Sequence, residues 1–399
     1  MKKIYEAEVL ICGAGIIGLT IAKELLKKGC DNIVILEKEG EIGRHASGRN
    51  SGVLHAGIYY VPNTLRAKSC LNGNFLMRHY CREKEIPLSE TGKVIVTKDE
   101  KEINILKELY RRARENGAKV ELIDEKQLKE IEPYARTCRL ALYSYYTAVL
   151  DPKAVLKSLY DDLISSGKVK VLFRTEFKDL KGSYTALTNN GEIKFNRFIN
   201  SAGAYSDRIA HAFGVGLNYR LIPFKGIYKK LRKEKSHIIK GNIYPVPDIR
   251  NPFLGVHFTK SIKGDVYLGP TAMPAFGRRN YGVLKDMDLE SIKILFNDCM
   301  LFFMNEKFRK IALTEPQKYL FKFFFEDARK LVKDLKPEDV LPSNKVGIRP
   351  QLVDWQKKEL VMDFLVIKDS NTIHILNAIS PGFTSSMSFA KTVIDQFIN

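Results

Sequence analysis

Three glycines near the N-terminus have the spacing of a phosphate-binding turn. Gly13, Gly15 and Gly18 form the pattern G-x-G-x-x-G. The first glycine permits a tight turn, the second lets a pyrophosphate approach the backbone, and the third allows a helix to pack closely on a strand. The helix that follows these glycines would direct its free N–H groups at the phosphates. These residues predict a dinucleotide site.

The residues around these glycines follow a strand–helix–strand pattern. Residues 8–12 are typical of a short buried strand, residues 19–26 of a helix, and residues 33–37 of a second strand. Glu37 closes that strand 19 residues after Gly18, where a carboxylate accepts hydrogen bonds from ribose hydroxyls. The same carboxylate would repel a 2′-phosphate, so NADP is disfavoured, whereas NAD and FAD both fit the pattern.

The composition limits the class of protein. The 399 residues suit two packed domains, and the chain has no apolar run of about 18 residues that could cross a membrane. Its six cysteines are scattered, without Cys-x-x-Cys or Cys/His pairs at zinc spacing. We therefore expect reduced cysteines, no metal site and a cytoplasmic protein.

The formal net charge of +19 allows several partners. Nucleic acid, an anionic membrane and an anionic substrate would all be attracted to such a chain. A zinc-finger spacing, an RNP signature or a basic zipper would favour nucleic acid, and the sequence contains none of them. The excess lysines are spread along the chain, which favours a solvated lysine-rich surface and no nucleic-acid partner.

A longer segment carries a family resemblance. Residues 43–60 read GRHASGRNSGVLHAGIYY, and further similar segments are 65–70, 92–96, 200–207, 255–259, 268–270, 347–351 and 380–386. In these segments the chain resembles the FAD-dependent D-amino acid oxidase-like superfamily and, within it, the L-2-hydroxyglutarate dehydrogenase/oxidase family. The resemblance implies an α/β fold of the D-amino acid oxidase/glutathione-reductase type. In that fold a Rossmann-type FAD-binding domain is interleaved with an α+β substrate domain.

The resemblance also implies which residues contact FAD. They are Gly13, Gly15, Ile16, Gly18, Glu37, Lys38, Arg44, His45, Ala46, Ser47, Asn50, Ser51, Gly52, Phe177, Ala202, Gly203, Gly382, Phe383 and Thr384. The loop at 43–52 would contact the ribityl chain and pyrophosphate, and the backbone of the segment from Val169 to Phe177 would hold the adenine. The last helix, after Pro381, would direct its N–H groups at the flavin N1–C2=O edge. His45 lies where some relatives attach the flavin covalently; we favour a noncovalent contact, because an imidazole can simply hydrogen-bond.

Carboxylate substrates call for arginine, whose planar guanidinium binds two oxygens at once. Arg349, in the sequence Gly-Ile-Arg-Pro, resembles the arginine that binds the substrate carboxylate in related amine and amino-acid oxidases. The alternative is a structural ion pair, for example with Asp354. Tyr59, Tyr60 and Lys68 could bind a second carboxylate, although the two tyrosines could also merely pack in the core.

Oxidation of an alcohol requires a base for the hydroxyl proton, and histidine is suited to this at neutral pH. His257 and His55 are the candidates among seven histidines. His257 is predicted to lie on a strand of the substrate-domain sheet facing the flavin, and His55 follows the flavin loop. We expect His257 to be the base and His55 a polarising group or flavin contact.

The resemblance therefore implies an FAD-dependent oxidation of L-2-hydroxyglutarate to 2-oxoglutarate, by hydride transfer to flavin N5. Oxygen, quinone or another carrier would reoxidise the flavin. The alternatives are a glycerol-3-phosphate dehydrogenase, an amino-acid or glycine oxidase, and a flavin-stabilised binding protein without enzyme activity.

The predicted domains are interleaved along the chain. Residues 1–80, 145–215 and 343–399 are assigned to the FAD-binding domain, and residues 81–144 and 216–342 to the substrate domain. A helical segment at about 288–336 combines many phenylalanines with lysines. Two interpretations stay open: a cap whose phenylalanines pack on the sheet, or a peripheral contact with the inner face of the membrane, where quinone would accept electrons.

Overall fold

The computed structural model describes residues 3–249, 253–282 and 289–397. In chain order the strands are β1 (Lys3–Cys12), β2 (Ile33–Leu36), β3 (Val53–Leu54), β4 (Leu88–Ser89), β5 (Lys93–Val96), β6 (Val120–Asp124), β7 (Leu140–Ser144), β8 (Ala148–Leu150), β9 (Val169–Leu172), β10 (Phe177–Leu180), β11 (Thr185–Thr188), β12 (Gly191–Asn200), β13 (Tyr219–Leu231), β14 (Asn242–Pro245), β15 (His257–Lys260), β16 (Val266–Gly269), β17 (Met273–Pro274), β18 (Val340–Asp354), β19 (Glu359–Leu360), β20 (Val366–Asp369) and β21 (Thr372–Ile375). The helices are α1 (Ile16–Lys27), α2 (Ala46–Arg49), α3 (Leu65–Glu83), α4 (Glu102–Glu115), α5 (Glu125–Ile131), α6 (Pro152–Ser165), α7 (Ser206–Ala212), α8 (Glu290–Met304), α9 (Glu306–Thr314), α10 (Phe321–Arg329) and α11 (Gly382–Phe397).

These elements divide into two units. The first contains residues 1–50, 152–223 and 349–399, and the second residues 51–151 and 224–348. The sequence assigned residues 51–80 to the FAD-binding domain, and this assignment differs from the structure. Ala56 and Ile58 are fully buried with Ile95 and Leu142 of the second unit, so this segment folds with the second unit.

A parallel sheet forms the centre of the first unit. Its parallel strands lie in the order β9-β2-β1-β12-β21. Leu172, Leu36, Cys12, Asn200 and His374 form one row across these strands. The chain therefore leaves all five strands at the same edge, which is where open α/β sheets bind ligands.

The local sequence explains this arrangement. Val9, Leu10 and Ile11 of β1 are completely buried, as expected of a parallel strand covered on both faces. Helix α1 buries Leu19, Ala22 and other apolar residues, and it packs against α6 and α11. The first strand–helix–strand unit predicted from the sequence is thus confirmed.

The second unit is built on a mixed sheet with the strand order β13-β16-β15-β14-β5-β7-β6. Strand β5 is central, pairing in parallel with β14 and antiparallel with β7. All four residues of β5 are buried, including its first, Lys93. The interior of this sheet therefore contains an ionisable side chain.

Helices α8, α9 and α10 occupy the segment predicted to be helical. The phenylalanines of this segment do not share one environment. Phe308, Phe324 and Phe325 are buried, whereas Phe296 and Phe303 are exposed, at 64% and 77%. The segment therefore contains both buried and exposed phenylalanines, and the membrane contact stays a prediction. No helix in the described ranges is long and apolar enough to span a membrane.

Candidate functional site

The glycine turn after β1 leaves no room for side chains. Gly13 has a φ of +110°, and a Cβ atom there would lie 2.6 Å from the carbonyl oxygen of Ser201. A Cβ atom on Gly18 would lie 2.0 Å from the carbonyl oxygen of Gly13, and one on Gly15 would lie 3.1 Å from Ser47 Oγ. These contacts show why glycine is needed in this turn, and they leave its backbone open to a pyrophosphate.

The carboxylate of Glu37 reaches this turn from the end of β2. It accepts hydrogen bonds from the N–H groups of Ala14, at 3.2 Å, and Glu39, at 2.9 Å. Burial raises the pKa of Glu37, and these two hydrogen bonds oppose that shift. An acceptor at this place can bind ribose hydroxyls, as predicted from the spacing.

Lys38 and His45 are brought together by a residue that the sequence did not single out. Glu39 Oε1 accepts from Lys38 Nζ at 2.8 Å and lies 2.8 Å from His45 Nε2. Burial raises the pKa of Glu39, but the two hydrogen bonds outweigh it and lower the pKa to about 2. Lys38 also lies over the ring of Tyr205, 4.5 Å from its centroid. This network gives one ring nitrogen of His45 a polar partner within the protein.

The flavin loop is held against α1 by Ser47. Its Oγ accepts from the N–H of Ile16 at 3.0 Å, and Asn50 Nδ2 donates to the carbonyl of Ser47 at 2.7 Å. Arg44 is exposed and pairs with Glu41 at 3.0 Å. The loop thus positions Ser47 beside the glycine turn and Arg44 toward solvent.

The predicted loop crosses the boundary between the units. Ala46 is the first residue of α2, and Ser51 and Gly52 begin the second unit. The carbonyl of Gly52 accepts from the N–H of Leu150 at 3.0 Å. A cofactor contact at Ser51 or Gly52 stays a prediction.

The turn after β12 meets the glycine turn directly. Ser201 Oγ donates to the carbonyls of Cys12, at 3.1 Å, and Gly13, at 3.2 Å. Ala202 N–H donates to the side chain of Asn200 at 3.2 Å, and Gly203 has a φ of +55°. Two distant parts of the chain thereby form one backbone surface at the sheet edge.

The last helix begins at Gly382, as predicted, with Phe383 half-buried and Thr384 buried in its first turn. The hydroxyls of Ser385 and Ser386 are buried and have no hydrogen-bond partner in the described parts of the chain. Buried polar groups normally have partners, so these two hydroxyls are available to a bound polar group.

The side chain of Phe177 lies in the core of the first unit. Its ring is buried against Phe198 and Phe213, with centroids at 5.6 and 5.9 Å. The side chain therefore belongs to the core, and an adenine contact here would have to use the backbone.

In the second unit, His257 is held in a defined tautomer. Its Nδ1 lies 2.8 Å from the carbonyl of Gly255, so Nδ1 carries the proton and Nε2 the lone pair. The imidazole stacks on Tyr244, with centroids 3.8 Å apart. Burial lowers the pKa of His257 to about 3, which the hydrogen bond to Gly255 opposes and nearby Lys93 reinforces. The imidazole is therefore neutral at physiological pH.

Lys93 lies beside this histidine and was not predicted as a site residue. Its Nζ is 4.6 Å from the ring centroid of Tyr59 and 4.8 Å from that of Tyr244. Burial lowers the pKa of Lys93 to about 7, and Cys70 acts in the opposite direction. Lys93 lies in residues 92–96, one of the segments that carry the family resemblance. The sequence of this segment does not show that the lysine is buried.

Helix α3 contains Lys68, another residue that the sequence predicted as an anion contact. Lys68 is exposed, whereas Arg66, two residues earlier and therefore on the opposite face, is buried and lies 4.9 Å from the ring of Tyr60. The carbonyl of His55 accepts from Asn74 Nδ2 at 3.0 Å. The substrate roles of Lys68, Tyr60 and His55 stay predictions.

Arg349 is half-buried on β18. The proposed structural partner, Asp354, accepts from the N–H groups of Gln356, at 3.0 Å, and Lys357, at 3.2 Å. These turn contacts give Asp354 a role of its own. Gln351, on the same face of the strand as Arg349, is completely buried and donates to the carbonyl of Val361 at 2.8 Å.

The parallel sheet, the glycine turn and the carboxylate at its edge define a Rossmann-type dinucleotide-binding protein. A family model described as FAD dependent oxidoreductase matches residues 8–396. Solved structures with this fold include an L-alpha-glycerophosphate oxidase from Mycoplasma pneumoniae, with FAD bound, and a glycine oxidase from Geobacillus kaustophilus. The first has a TM-score of 0.74 at 22% identity, and the second 0.71 at 19%; each match covers 98% of this chain and 94% of the other.

Curated relatives narrow the family. An L-2-hydroxyglutarate dehydrogenase from Nematostella vectensis is 36% identical, covering 98% of this chain and 90% of the relative. One from Indibacter alkaliphilus is 35% identical, covering 98% of both chains. The Homo sapiens enzyme is 34% identical, and the match covers 98% of this chain and 88% of that enzyme. The chain belongs to the L-2-hydroxyglutarate dehydrogenase family of FAD-dependent oxidoreductases.

Proposed function

We propose that the protein oxidises L-2-hydroxyglutarate to 2-oxoglutarate. The observation that carries this proposal is the similarity to curated L-2-hydroxyglutarate dehydrogenases over nearly the whole chain. When bound, FAD supplies an acceptor at N5 for the hydride that leaves C2 of the substrate. Gly13, Gly15, Gly18 and Glu37 hold the cofactor, and the remaining steps depend on the side chains around the substrate.

His257 removes the hydroxyl proton in this proposal. Its Nδ1–H is engaged by Gly255, which leaves the Nε2 lone pair as the proton acceptor. Stacking on Tyr244 restricts rotation of the ring. His55 contributes as a polarising group or flavin contact, and Arg349 binds the carboxylate next to the oxidised carbon.

Anaerobic mixing of the purified yellow protein with single substrates tests the reaction. L-2-hydroxyglutarate should bleach the flavin absorbance, whereas its D-enantiomer, glycerol 3-phosphate and glycine should not. Bleaching by glycerol 3-phosphate or glycine alone would assign the protein to another activity of the superfamily. Bleaching by none of them would favour a flavin-stabilised binding protein.

Replacing Arg349 by alanine should raise KM for L-2-hydroxyglutarate by roughly 100-fold, because a bidentate charged hydrogen bond is lost. Lysine at this position should restore only part of the affinity, since it binds as a point charge. Steady-state kinetics and flavin content would be measured together.

Arg220→Ala is the matched control for this experiment. Arg220 lies 5.2 Å from the ring centroid of Trp355 and has no proposed role at the substrate. The control should keep the wild-type KM, and both variants should keep their FAD. An Arg349→Ala protein with unchanged KM would contradict the assignment.

We further propose that the protein is cytoplasmic and binds an anionic membrane through α8, α9 and α10, with quinone as the electron acceptor. Exposed apolar residues in this helical segment support the proposal; they are Ile292, Leu295, Phe296, Phe303, Met304, Leu313, Leu320 and Phe323. Lys293, Lys307, Lys310 and Lys322 are exposed on the same helices. Exposed apolar side chains with lysines around them are typical of an amphipathic contact with anionic lipid.

Vesicle flotation tests this surface. The wild-type protein should float with vesicles of anionic lipid and less with neutral ones, and Phe296→Ser with Phe303→Ser should reduce flotation severalfold. Leu217→Ser is the control, since Leu217 is 59% exposed but lies in the first unit. A wild-type protein that never floats would refute membrane binding and leave the proposed oxidation unaffected.

A further inference from the structure

Lys93 is a basic residue buried inside the second unit. The residue is 1% exposed, and no described residue accepts a hydrogen bond from its Nζ. Burial of an unpaired ammonium group is unfavourable even after relaxation. The cation–π contacts with the faces of Tyr59 and Tyr244 offset only part of this cost.

A second buried polar group, close to Lys93, also lacks a hydrogen-bond partner among the described residues. The hydroxyl of Tyr59 is buried and has no hydrogen-bond partner within the described ranges. An ammonium and a phenol can both donate, and both therefore lack an acceptor. A single carboxylate has two oxygens and enough lone pairs for both donors.

We propose that Lys93 and the Tyr59 hydroxyl bind the substrate carboxylate remote from the oxidised carbon. This inference rests on the proposed oxidation of a diacid and names a residue for its second charge. Lys93 thus replaces Lys68, whose exposed ammonium is already solvated. A buried cation discriminates strongly, because an analogue without the second carboxylate leaves it unpaired.

The neighbourhood gives this interaction a defined pH dependence. The groups that face Lys93 are Tyr59, Tyr244, His257 and Cys70. Burial raises the pKa of both tyrosines, raises the pKa of Cys70 to about 12, and lowers the pKa of His257 to about 3. Lys93, with a pKa of about 7, is therefore the one member of this group that titrates near neutrality.

The first test compares two substrates of Lys93→Met, which removes the charge and keeps the length. For L-2-hydroxyglutarate, kcat/KM should fall by roughly 100-fold, whereas for L-2-hydroxypentanoate, which lacks the second carboxylate, it should change little. Equal losses on both substrates would overturn the inference, because they would indicate a base or a structural role. Unchanged kinetics on both would overturn it as well. Tyr59→Phe should show the same selectivity with a smaller effect.

The second test does not depend on turnover. Glutarate, which has two carboxylates and no hydroxyl, should perturb the flavin spectrum of the wild-type holoenzyme and bind at least tenfold more weakly to Lys93→Met. Above the pKa of Lys93, the affinity of the wild-type holoenzyme for glutarate should fall about tenfold per pH unit. Lys93→Arg should remove this pH dependence. Glutarate that binds equally to wild type and Lys93→Met would refute the anion site.

The two proposals can fail separately. A wild-type protein that binds glutarate through Lys93 but is not bleached by L-2-hydroxyglutarate would refute the proposed oxidation and keep the anion site. Bleaching by L-2-hydroxyglutarate that persists unchanged in Lys93→Met would refute the anion site and keep the proposed oxidation. Flavin content would be recorded for every variant, so that loss of the fold is recognised.

Discussion

Replacing Gly18 with alanine should yield a protein that is purified without its flavin. The new methyl group would lie 2.0 Å from the carbonyl oxygen of Gly13 and 2.9 Å from Ser201 Oγ. The first contact is with backbone, so α1 would have to move away from the end of β1. Such overpacking costs about 1–3 kcal/mol and would displace the N–H groups that face the pyrophosphate. The ratio of flavin to protein absorbance measures the result.

Gly29→Asn is the matched control, at the other end of α1. Gly29 has a φ of +90°, and a Cβ atom there would meet no other atom within 4 Å. Asparagine tolerates positive φ better than other residues with side chains. The control should keep its flavin. A Gly18→Ala protein with full flavin content would show that the close approach is not needed.

Glu37→Gln separates loss of binding from loss of the fold. The amide keeps the size of the side chain, but it lacks the charge and has one acceptor oxygen, whereas the carboxylate uses two, for Ala14 and Glu39. We expect FAD to bind roughly tenfold more weakly while circular dichroism stays unchanged, since a charge-assisted hydrogen bond is about twice as strong as a neutral one. Together, the two variants distinguish a distorted turn from a weakened ribose contact.

Replacing His257 with asparagine should lower kcat by roughly 100- to 10,000-fold, the range usual for a lost general base. Flavin content should be unaffected, because His257 is assigned no contact with the cofactor. His79→Asn is the control, since His79 is exposed on α3. Rapid-mixing measurement of flavin reduction would report the chemical step directly. A variant that reduces its flavin at the wild-type rate would exclude His257 as the base.

The pH profile checks the same assignment. Because burial lowers the pKa of His257 to about 3, the imidazole should remain unprotonated down to about that pH. Activity should therefore not fall between pH 7 and 5, as it would for a histidine with an ordinary pKa of about 6.5. On the alkaline side, kcat/KM should fall above pH 7 as Lys93 loses its proton. An acid limb near pH 6.5 would point to a different base.

Much of the cofactor site could be predicted because it is local. Residues 8–37 contain a strand, a glycine turn, a helix, a second strand and an acidic residue, and their order follows from the spacing of glycine and apolar residues. The family resemblance then distinguished FAD from NAD. The contact of Ser201 Oγ with the carbonyl of Gly13 joins residues 188 positions apart. The periodicity of a short sequence window cannot predict a contact between residues so far apart in the chain.

The lysines show where sequence patterns stop being informative. Lys68 and Lys93 both lie in segments that carry the family resemblance, and the sequence favoured Lys68 as an anion contact. Burial reverses that preference, because α3 turns Lys68 outward, whereas Lys93 begins a central strand and is covered by Tyr59 and Tyr244. Turns and amphipathic helices depend on residues that are close in the chain, and they can therefore be predicted from the sequence. The pKa of an amine and the presence of an unpaired donor depend on atoms brought from distant segments, and only the folded chain supplies them.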